Sequence, residues 1–342
     1  MTINKILEED IRNFAESFAL ADELRGMHIA ITGATGLLGS CMTRCLLSLS
    51  TQRDLGIHVT CIVRNAAKAH EMFGDDVTIV EYDFSSGAPL LLPADTDSVI
   101  HFASPTASKF FVDNPVETMN TGLLGTMQLL KAAKNTGCKV VFVSSLEVYG
   151  AIYDDSKPVD EHCMGYLDPL EVRSSYPMAK RAAECLCKSY AAEYGVQAMT
   201  ARLAQTFGAG VTKDDNRVFA QFARSIIASH DIILHTTGEL SRCYCYTTDA
   251  IEGILYILLR GTAGEAYNVS NDSTYISVAD MARRLCETFN PGVKPVVQLQ
   301  DGLGYSPVTK LRLSSARLQA LGWKPHYDLM QMFGRLIASF KS

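Results

Sequence analysis

His28-Ile29-Ala30-Ile31-Thr32 is a short apolar, β-branched run that leads directly into Gly33-Ala34-Thr35-Gly36-Leu37-Leu38-Gly39. An apolar stretch through Leu47 comes next. A buried strand, a glycine turn and a helix in immediate succession open the parallel sheets of α/β proteins, and they exclude most other folds. Gly33 permits the tight turn, Gly36 lets the backbone approach a pyrophosphate, and Gly39 lets helix and strand pack closely. The spacing is G-x-x-G-x-x-G, not the commoner G-x-G-x-x-G, so the placement after a strand carries more weight than the glycines. The turn, with Thr35, Leu37 and Leu38, is the expected pyrophosphate site of a dinucleotide.

The rest of the chain keeps the same rhythm. A second strand over 59–63 ends in Arg64-Asn65, with Lys68 close behind. An acidic residue there would bind the ribose hydroxyls of NAD; Arg64 suits a 2′-phosphate and leans toward NADP. A third strand over 77–81 ends near Asp83 and Phe84, candidates for the adenine side. A fourth, Ser98-Val99-Ile100-His101-Phe102-Ala103, ends near the pyrophosphate at Ala103. His101 reads as a packed strand-end residue. A long helix over 113–134, a fifth strand over 140–143, a helix over 176–194 and a sixth strand over 197–203 come after it. Strands alternating with helices imply a Rossmann-type doubly wound parallel sheet, class α/β.

Beyond residue 204 the pattern loosens. Helix is expected over 218–229 and 249–259, and strand over 232–235, 242–246 and 266–269. Short helices and Pro- and Gly-marked loops such as Asn290-Pro291-Gly292 occupy 277–342. Residues 3–24 carry Ile3, Leu7, Ile11, Phe14 and Phe18 at helical spacing, an amphipathic helix laid on the body or on a partner subunit. The expected organisation is therefore an N-terminal helix (1–26), a dinucleotide-binding domain (27–204 and 246–270), and a smaller interleaved C-terminal α/β substrate domain (205–245 and 271–342).

Composition narrows the function classes. A 342-residue chain with 47% hydrophobic and 20% charged residues has ample material for a core. A net charge of -6 and the lack of a basic run argue against nucleic acid. The ten cysteines form no zinc pattern, so no metal is expected and free thiols in a reducing cytoplasm are the reading. No signal peptide is expected, and no apolar run reaches the roughly 18 residues that would span a bilayer.

The chemistry concentrates between Ser144 and Lys180. The stretch begins Ser144-Ser145-Leu146-Glu147-Val148-Tyr149-Gly150 and ends Tyr176-Pro177-Met178-Ala179-Lys180. If Tyr176 opens a helix, Lys180 lies one turn on, on the same face. A phenol titrates near pH 10 and is a poor base at neutrality. A fixed ammonium favours the phenolate and lowers that value, so the pair is expected to take a proton from a hydroxyl. A serine from the neighbouring strand end, Ser145, would hydrogen-bond the same oxygen.

The order and spacing of Gly33, Gly36, Gly39, Ser145, Glu147, Tyr176 and Lys180 resemble the extended short-chain dehydrogenase/reductases, the family of nucleotide-sugar epimerases, dehydratases and decarboxylases. The similarity extends to 202–208, to Ser241-Arg242 ahead of Tyr246 and Asp249, and to Leu321-Gly322-Trp323. It implies oxidation of a sugar C4 hydroxyl, with Tyr176 taking the proton while hydride passes to NAD or NADP. Lys180 would also hold the ribose. The 4,6-dehydratases of the family carry an Asp-Glu pair after the hydroxyl residue; here Leu146 stands first, which disfavours that reaction.

Glu147 remains, where typical 4-epimerases lack it. Glu-Val-Tyr-Gly, the run Pro169-Leu170-Glu171-Val172-Arg173-Ser174-Ser175-Tyr176 with Lys180-Arg181, Ala103-Ser104-Pro105 and Asn114-Pro115 all look like the UDP-glucuronate decarboxylases. That likeness implies catalytic Ser145, Glu147, Tyr176 and Lys180, with substrate contacts from Ser104, Pro105, Arg173, Gln205 and Arg242. It also implies a homodimer through helices 113–134 and 176–194. A 4-epimerase, an NADPH-dependent carbonyl reductase and a non-catalytic cofactor sensor are the alternatives. The chain departs from the family at Gly122 and Gln205, where Asn is usual, and at Arg64, where decarboxylases carry Asp.

Overall fold

The computed structural model describes residues 3–300 and 308–342. Its strands are β1 (His28–Thr32), β2 (His58–Val63), β3 (Thr78–Glu81), β4 (Ser98–His101), β5 (Lys139–Ser145), β6 (Ala198–Leu203), β7 (Gln205–Phe207), β8 (Ile232–Leu234), β9 (Ser241–Tyr246), β10 (Ala266–Val269), β11 (Asn271–Ser277), β12 (Pro295–Val297) and β13 (Lys310–Leu311). The α-helices are α1 (Lys5–Ser17), α2 (Leu37–Arg53), α3 (Ala66–Phe73), α4 (Ser108–Asp113), α5 (Pro115–Met119), α6 (Gly125–Thr136), α7 (Ser175–Tyr194), α8 (Val218–Ala228), α9 (Thr247–Arg260), α10 (Val278–Phe289), α11 (Ala316–Gln319) and α12 (Leu329–Lys341).

Among the described residues, seven strands form one sheet in the order β10-β6-β5-β4-β1-β2-β3, and every neighbouring pair is parallel. β1, β4, β5 and β6 are buried almost throughout, because helices cover both faces. The strand order reverses between β1 and β4, the point where a doubly wound sheet opens a crevice beyond its carboxyl ends. α9 is buried along nearly its whole length and returns the chain to this sheet at β10.

A separate apolar cluster, Phe207, Phe219, Phe222, Ile226, Met281, Leu285, Phe333 and Leu336 among its members, is built by β7, α8, α10 and α12. β9 pairs with β7, β11 and β13 beside it.

The expected helix over 3–24 is shorter. Asn4 caps α1 by accepting from the Leu7 amide at 2.9 Å, and the chain leaves the helix at Phe18 before a 3-10 turn at Ala21–Leu24. Its apolar stripe packs on the body, against α2, α9 and α12, with Phe14 stacked on Phe18. Asp10, on that packed face, receives the Tyr246 hydroxyl at 2.5 Å and stands 2.6 Å from Arg335 Nε.

The expected single helix over 113–134 is also interrupted. Asn114 breaks it ahead of Pro115, and Asn120–Leu124 forms a π turn before α6. Strands β7, β11, β12 and β13 lie outside the expected set.

Candidate active site

The crevice between β1 and β4 is built around Gly33. Its φ of +64° lies in the left-handed region, and a Cβ there would stand 3.0 Å from the Ala103 amide nitrogen. A Cβ on Gly39 would meet the Gly33 carbonyl at 2.3 Å, so the turn closes only with glycine at both places. Thr32 joins the two strand ends: its hydroxyl accepts from the Ala103 amide at 3.0 Å and meets His101 Nδ1 at 2.7 Å. Burial pushes His101 down to about 3, so it sits neutral as a packed strand-end residue.

α2 starts at Leu37 behind an exposed Gly36. First-turn amides of a helix have no intrahelical partner and favour an anion. A pyrophosphate therefore fits the turn formed by Gly33, Thr35, Gly36, Leu37, Leu38 and Gly39. Asp83 is exposed and takes the Ser85 amide and hydroxyl, each at 2.8 Å, while Phe84 is buried against His101. Phe84 can meet a ligand only through its backbone. Arg64, at the end of β2, extends to Glu117 at 3.2 Å.

The second half of the site comes from β5 and α7. Ser145 ends β5, and its hydroxyl caps the following 3-10 turn and, beside Tyr176, favours the charged form of the phenol. Tyr176 is the second residue of α7, and Lys180 lies one turn on with its Nζ 5.8 Å from the Tyr176 ring centre. Glu147 accepts two parallel hydrogen bonds from Arg173, at 2.8 and 2.9 Å. Ser104 and Pro105 lead from the crevice to α4, and α4 lays Phe111 flat on Tyr176 with ring centres 4.2 Å apart. Arg173 covers the Phe111 ring in turn.

The electrostatics run against the expected activation of the phenol. Burial, and then the Glu147 carboxylate, push Tyr176 well above an ordinary phenol, against the opposing influence of the Ser145 hydroxyl and Arg173. The Lys180 ammonium is not directed at the phenol; it donates to the Val143 carbonyl at 2.8 Å. Burial brings Lys180 itself down to about 8. Thus the spacing of Tyr176 and Lys180 is as expected, whereas the anticipated lowering of the phenol is absent in this arrangement.

Behind the site lies a polar network that motif reading missed. Glu184, one further turn along α7, accepts the Ser144 hydroxyl at 2.5 Å and a bidentate guanidinium from Arg202. Arg202 also donates to the Tyr149 hydroxyl at 3.0 Å and the Glu161 carbonyl at 2.7 Å, and Tyr149 donates to Asn268. A usable signal was present: Arg202 is the one charged residue of its strand, and Glu184 continues the four-residue step from Tyr176 and Lys180.

The departures from the family pattern have physical settings. A Cβ at Gly122, in the π turn, would stand 2.8 Å from the Ala179 Cβ, so Ala179 leaves no room for an Asn side chain. Gln205 pairs through β7 with Tyr244 and is half-buried. Arg242 is buried, and its guanidinium donates to the Thr309 carbonyl and hydroxyl and to the Ser241 carbonyl. Among the described residues there is no group of side chains able to hold a metal ion, every cysteine is a free thiol, and no helix is long and apolar enough to cross a membrane.

Comparison with known proteins agrees with this geometry. UDP-glucuronic acid decarboxylase 3 of Arabidopsis thaliana is 26% identical over 89% of this chain and 86% of its own length. UDP-glucuronic acid decarboxylase 1 of Xenopus tropicalis is 26% identical over 98% of this chain and 79% of its own. The same fold occurs in the UDP-glucose 4-epimerase of Thermus thermophilus in complex with NAD, with TM-score 0.76, 21% identity and coverage of 92% of this chain and 99% of the other. It occurs also in a dTDP-glucose 4,6-dehydratase of Streptomyces venezuelae with NAD bound, with TM-score 0.75, 22% identity and coverage of 92% and 97%. The family model described as NAD dependent epimerase/dehydratase matches residues 29–270, so a glycine turn, a Tyr-Lys helix step and a seven-stranded parallel sheet come together here in a member of the NAD dependent epimerase/dehydratase family.

Proposed function

We propose that the chain modifies a nucleotide sugar by oxidising its C4 hydroxyl, and that the net reaction is decarboxylation of a UDP-glucuronate-like substrate. The observation that carries this reading is the placement of Tyr176 one helical turn before Lys180 and beside Ser145 and the Glu147–Arg173 pair. Gly33 to Gly39 would hold the dinucleotide, whose nicotinamide supplies a hydride acceptor when bound. Ser145 polarises the C4 oxygen, and Tyr176 takes its proton. Because the resting phenol is held neutral, Tyr176 acts as a base only once positive charge reaches it, which Lys180 supplies by leaving the Val143 carbonyl for the ribose and phenol side.

With C4 a ketone, the C6 carboxylate is part of a β-keto acid. The C5–C6 bond breaks, carbon dioxide leaves, and the electron pair stays as a C4–C5 enolate that is then protonated at C5; C4 then takes back the hydride removed from it, and its oxygen the proton held by Tyr176, which restores the 4-hydroxyl. Arg173, fixed by Glu147, and Arg242 are the guanidinium groups proposed to hold the carboxylate and the diphosphate. Ser104, Pro105 and Gln205 complete the proposed substrate contacts. Leu146 offers no acid for a 4,6-elimination.

Residues 27–204 with 246–270 are read as the cofactor-binding part, and 205–245 with 271–342 as the substrate part. A homodimer through the helices over 113–134 and 176–194, and a cytoplasmic location, belong to the same proposal. Incubation with UDP-glucuronate is expected to release carbon dioxide and UDP-xylose. Interconversion of UDP-glucose and UDP-galactose without carbon dioxide would replace the decarboxylase reading by a 4-epimerase. Arg64 favours a second reading, carbonyl reduction by NADPH, which predicts steady consumption of added NADPH.

A further inference from the structure

The end of β2 faces the glycine turn directly. The Gly33 amide donates to the Ile62 carbonyl at 3.1 Å, two residues before Arg64. A dinucleotide lying on the turn passes its adenosine ribose over this strand end, where NAD-binding sheets place an acid to accept the two ribose hydroxyls. None of the residues from Arg64 to Lys68 is acidic. Asn65 cannot serve, because its side chain caps α3 by accepting from the Lys68 amide at 2.8 Å. Asp83 is committed to the Ser85 amide and hydroxyl and lies held below the usual carboxylate range.

Two cations stand there instead. The Lys68 ammonium rests on the turn itself, 3.4 Å from the Thr35 carbonyl. The Arg64 side chain is 67% exposed and engages Glu117 through one hydrogen bond of 3.2 Å. A single exposed contact of that length holds a guanidinium weakly and leaves most of its donors for an anion.

We propose that Arg64 and Lys68 form a binding site for the 2′-phosphate of the cofactor, so that this chain selects NADP over NAD. The inference rests on the family's dinucleotide binding at the Gly33–Gly39 turn and adds which dinucleotide is taken. Arg64 supplies the planar fork that matches a phosphate, and Lys68 a second charge from the side of the turn. Glu117 competes with the phosphate for Arg64 and yields it on binding.

The test is calorimetric titration of the full chain, stripped of cofactor, with NADP+ and with NAD+. Adenosine 2′,5′-bisphosphate and 5′-AMP form a second pair that differs only by the 2′-phosphate. Wild type is expected to bind the phosphate-bearing member of each pair about tenfold or more tightly. Arg64→Asp is expected to invert the NADP+ to NAD+ ratio, Lys68→Ala to weaken only the phosphate-bearing members, and Glu117→Gln to tighten NADP+ alone. All three side chains are substantially exposed, and unchanged melting temperatures verify the fold. Equal or tighter NAD+ binding by wild type overturns the proposal while leaving the dinucleotide site intact, as does a ratio unmoved by Arg64→Asp. Failure of either dinucleotide to bind overturns the proposal together with the reading on which it rests.

Discussion

Two polar groups share one face of α7, two helical turns apart, and are satisfied to opposite degrees. Around Glu184 and Arg202 the acceptors and donors match: a bidentate ion pair, a serine, a tyrosine and a backbone carbonyl close on one another. Around Tyr176 they do not. The phenol is pushed up by burial and a nearby carboxylate, the Arg173 guanidinium offsets this only in part, and the Lys180 ammonium donates to the Val143 carbonyl of β5. A saturated network fixes β5, β6 and α7 relative to each other; an unsaturated one leaves demands that a ligand can meet. The contrast locates the chemistry more sharply than the motif does.

The largest effect expected from breaking this contrast is on rate. Tyr176→Phe should lower turnover by about 10²- to 10⁴-fold, the range of a lost general base, with the midpoint of urea unfolding unchanged. A loss of stability instead would move Tyr176 into the structural group. Arg202→Met should do the reverse, costing about 3–5 kcal/mol in urea unfolding by leaving Glu184 buried without its cation.

Next is a pH effect at Lys180. Its ammonium loses its proton near pH 8 in the folded chain and near 10.5 when unfolded. Between those values the unfolded state binds more protons, so this residue's contribution to stability rises with pH, and its cost is full below pH 8. The unfolding free energy of wild type relative to Lys180→Met should therefore climb by a few kcal/mol across that window. A flat difference would mean that Lys180 is as well satisfied as Arg202. The smallest effect is at Gly122. Gly122→Ala should cost about 1–3 kcal/mol by overlap with Ala179, and the second change Ala179→Gly should restore most of it. Purely additive costs would show that the π turn, not the neighbouring helix, demands glycine.

Much of this was legible in the residues. β1, β4, β5 and β6 are continuous apolar runs, and the glycine turn after β1 marks the start of a dinucleotide-binding unit. The stretch from His28 to Leu203 therefore yields six of the seven strands of the sheet and the crevice in order. The edge and accessory strands did not show themselves. Gln205–Phe207 and Lys310–Leu311 are too short for an alternation, Asn271–Ser277 is polar, and Pro295–Val297 begins with a proline. The sign of the Tyr176 shift was illegible for another reason. It depends on which acceptor Lys180 chooses and on Phe111 stacking over the ring, neither of which four-residue spacing determines.

The buried contact between α1 and α12 bears on how the chain is made. Arg335 reaches the Ile6 carbonyl across 329 positions, and the same guanidinium stands against Asp10. An N-terminal helix with a carboxylate on its packed face thus leaves the ribosome long before its counter-charge is synthesised. During that interval α1 can dock only with Asp10 short of its cation, so closure of this seam waits for α12. Synthesis order makes the junction of α1 and α12 a late step in assembly, even though α1 emerges well ahead of the sheet it packs beside.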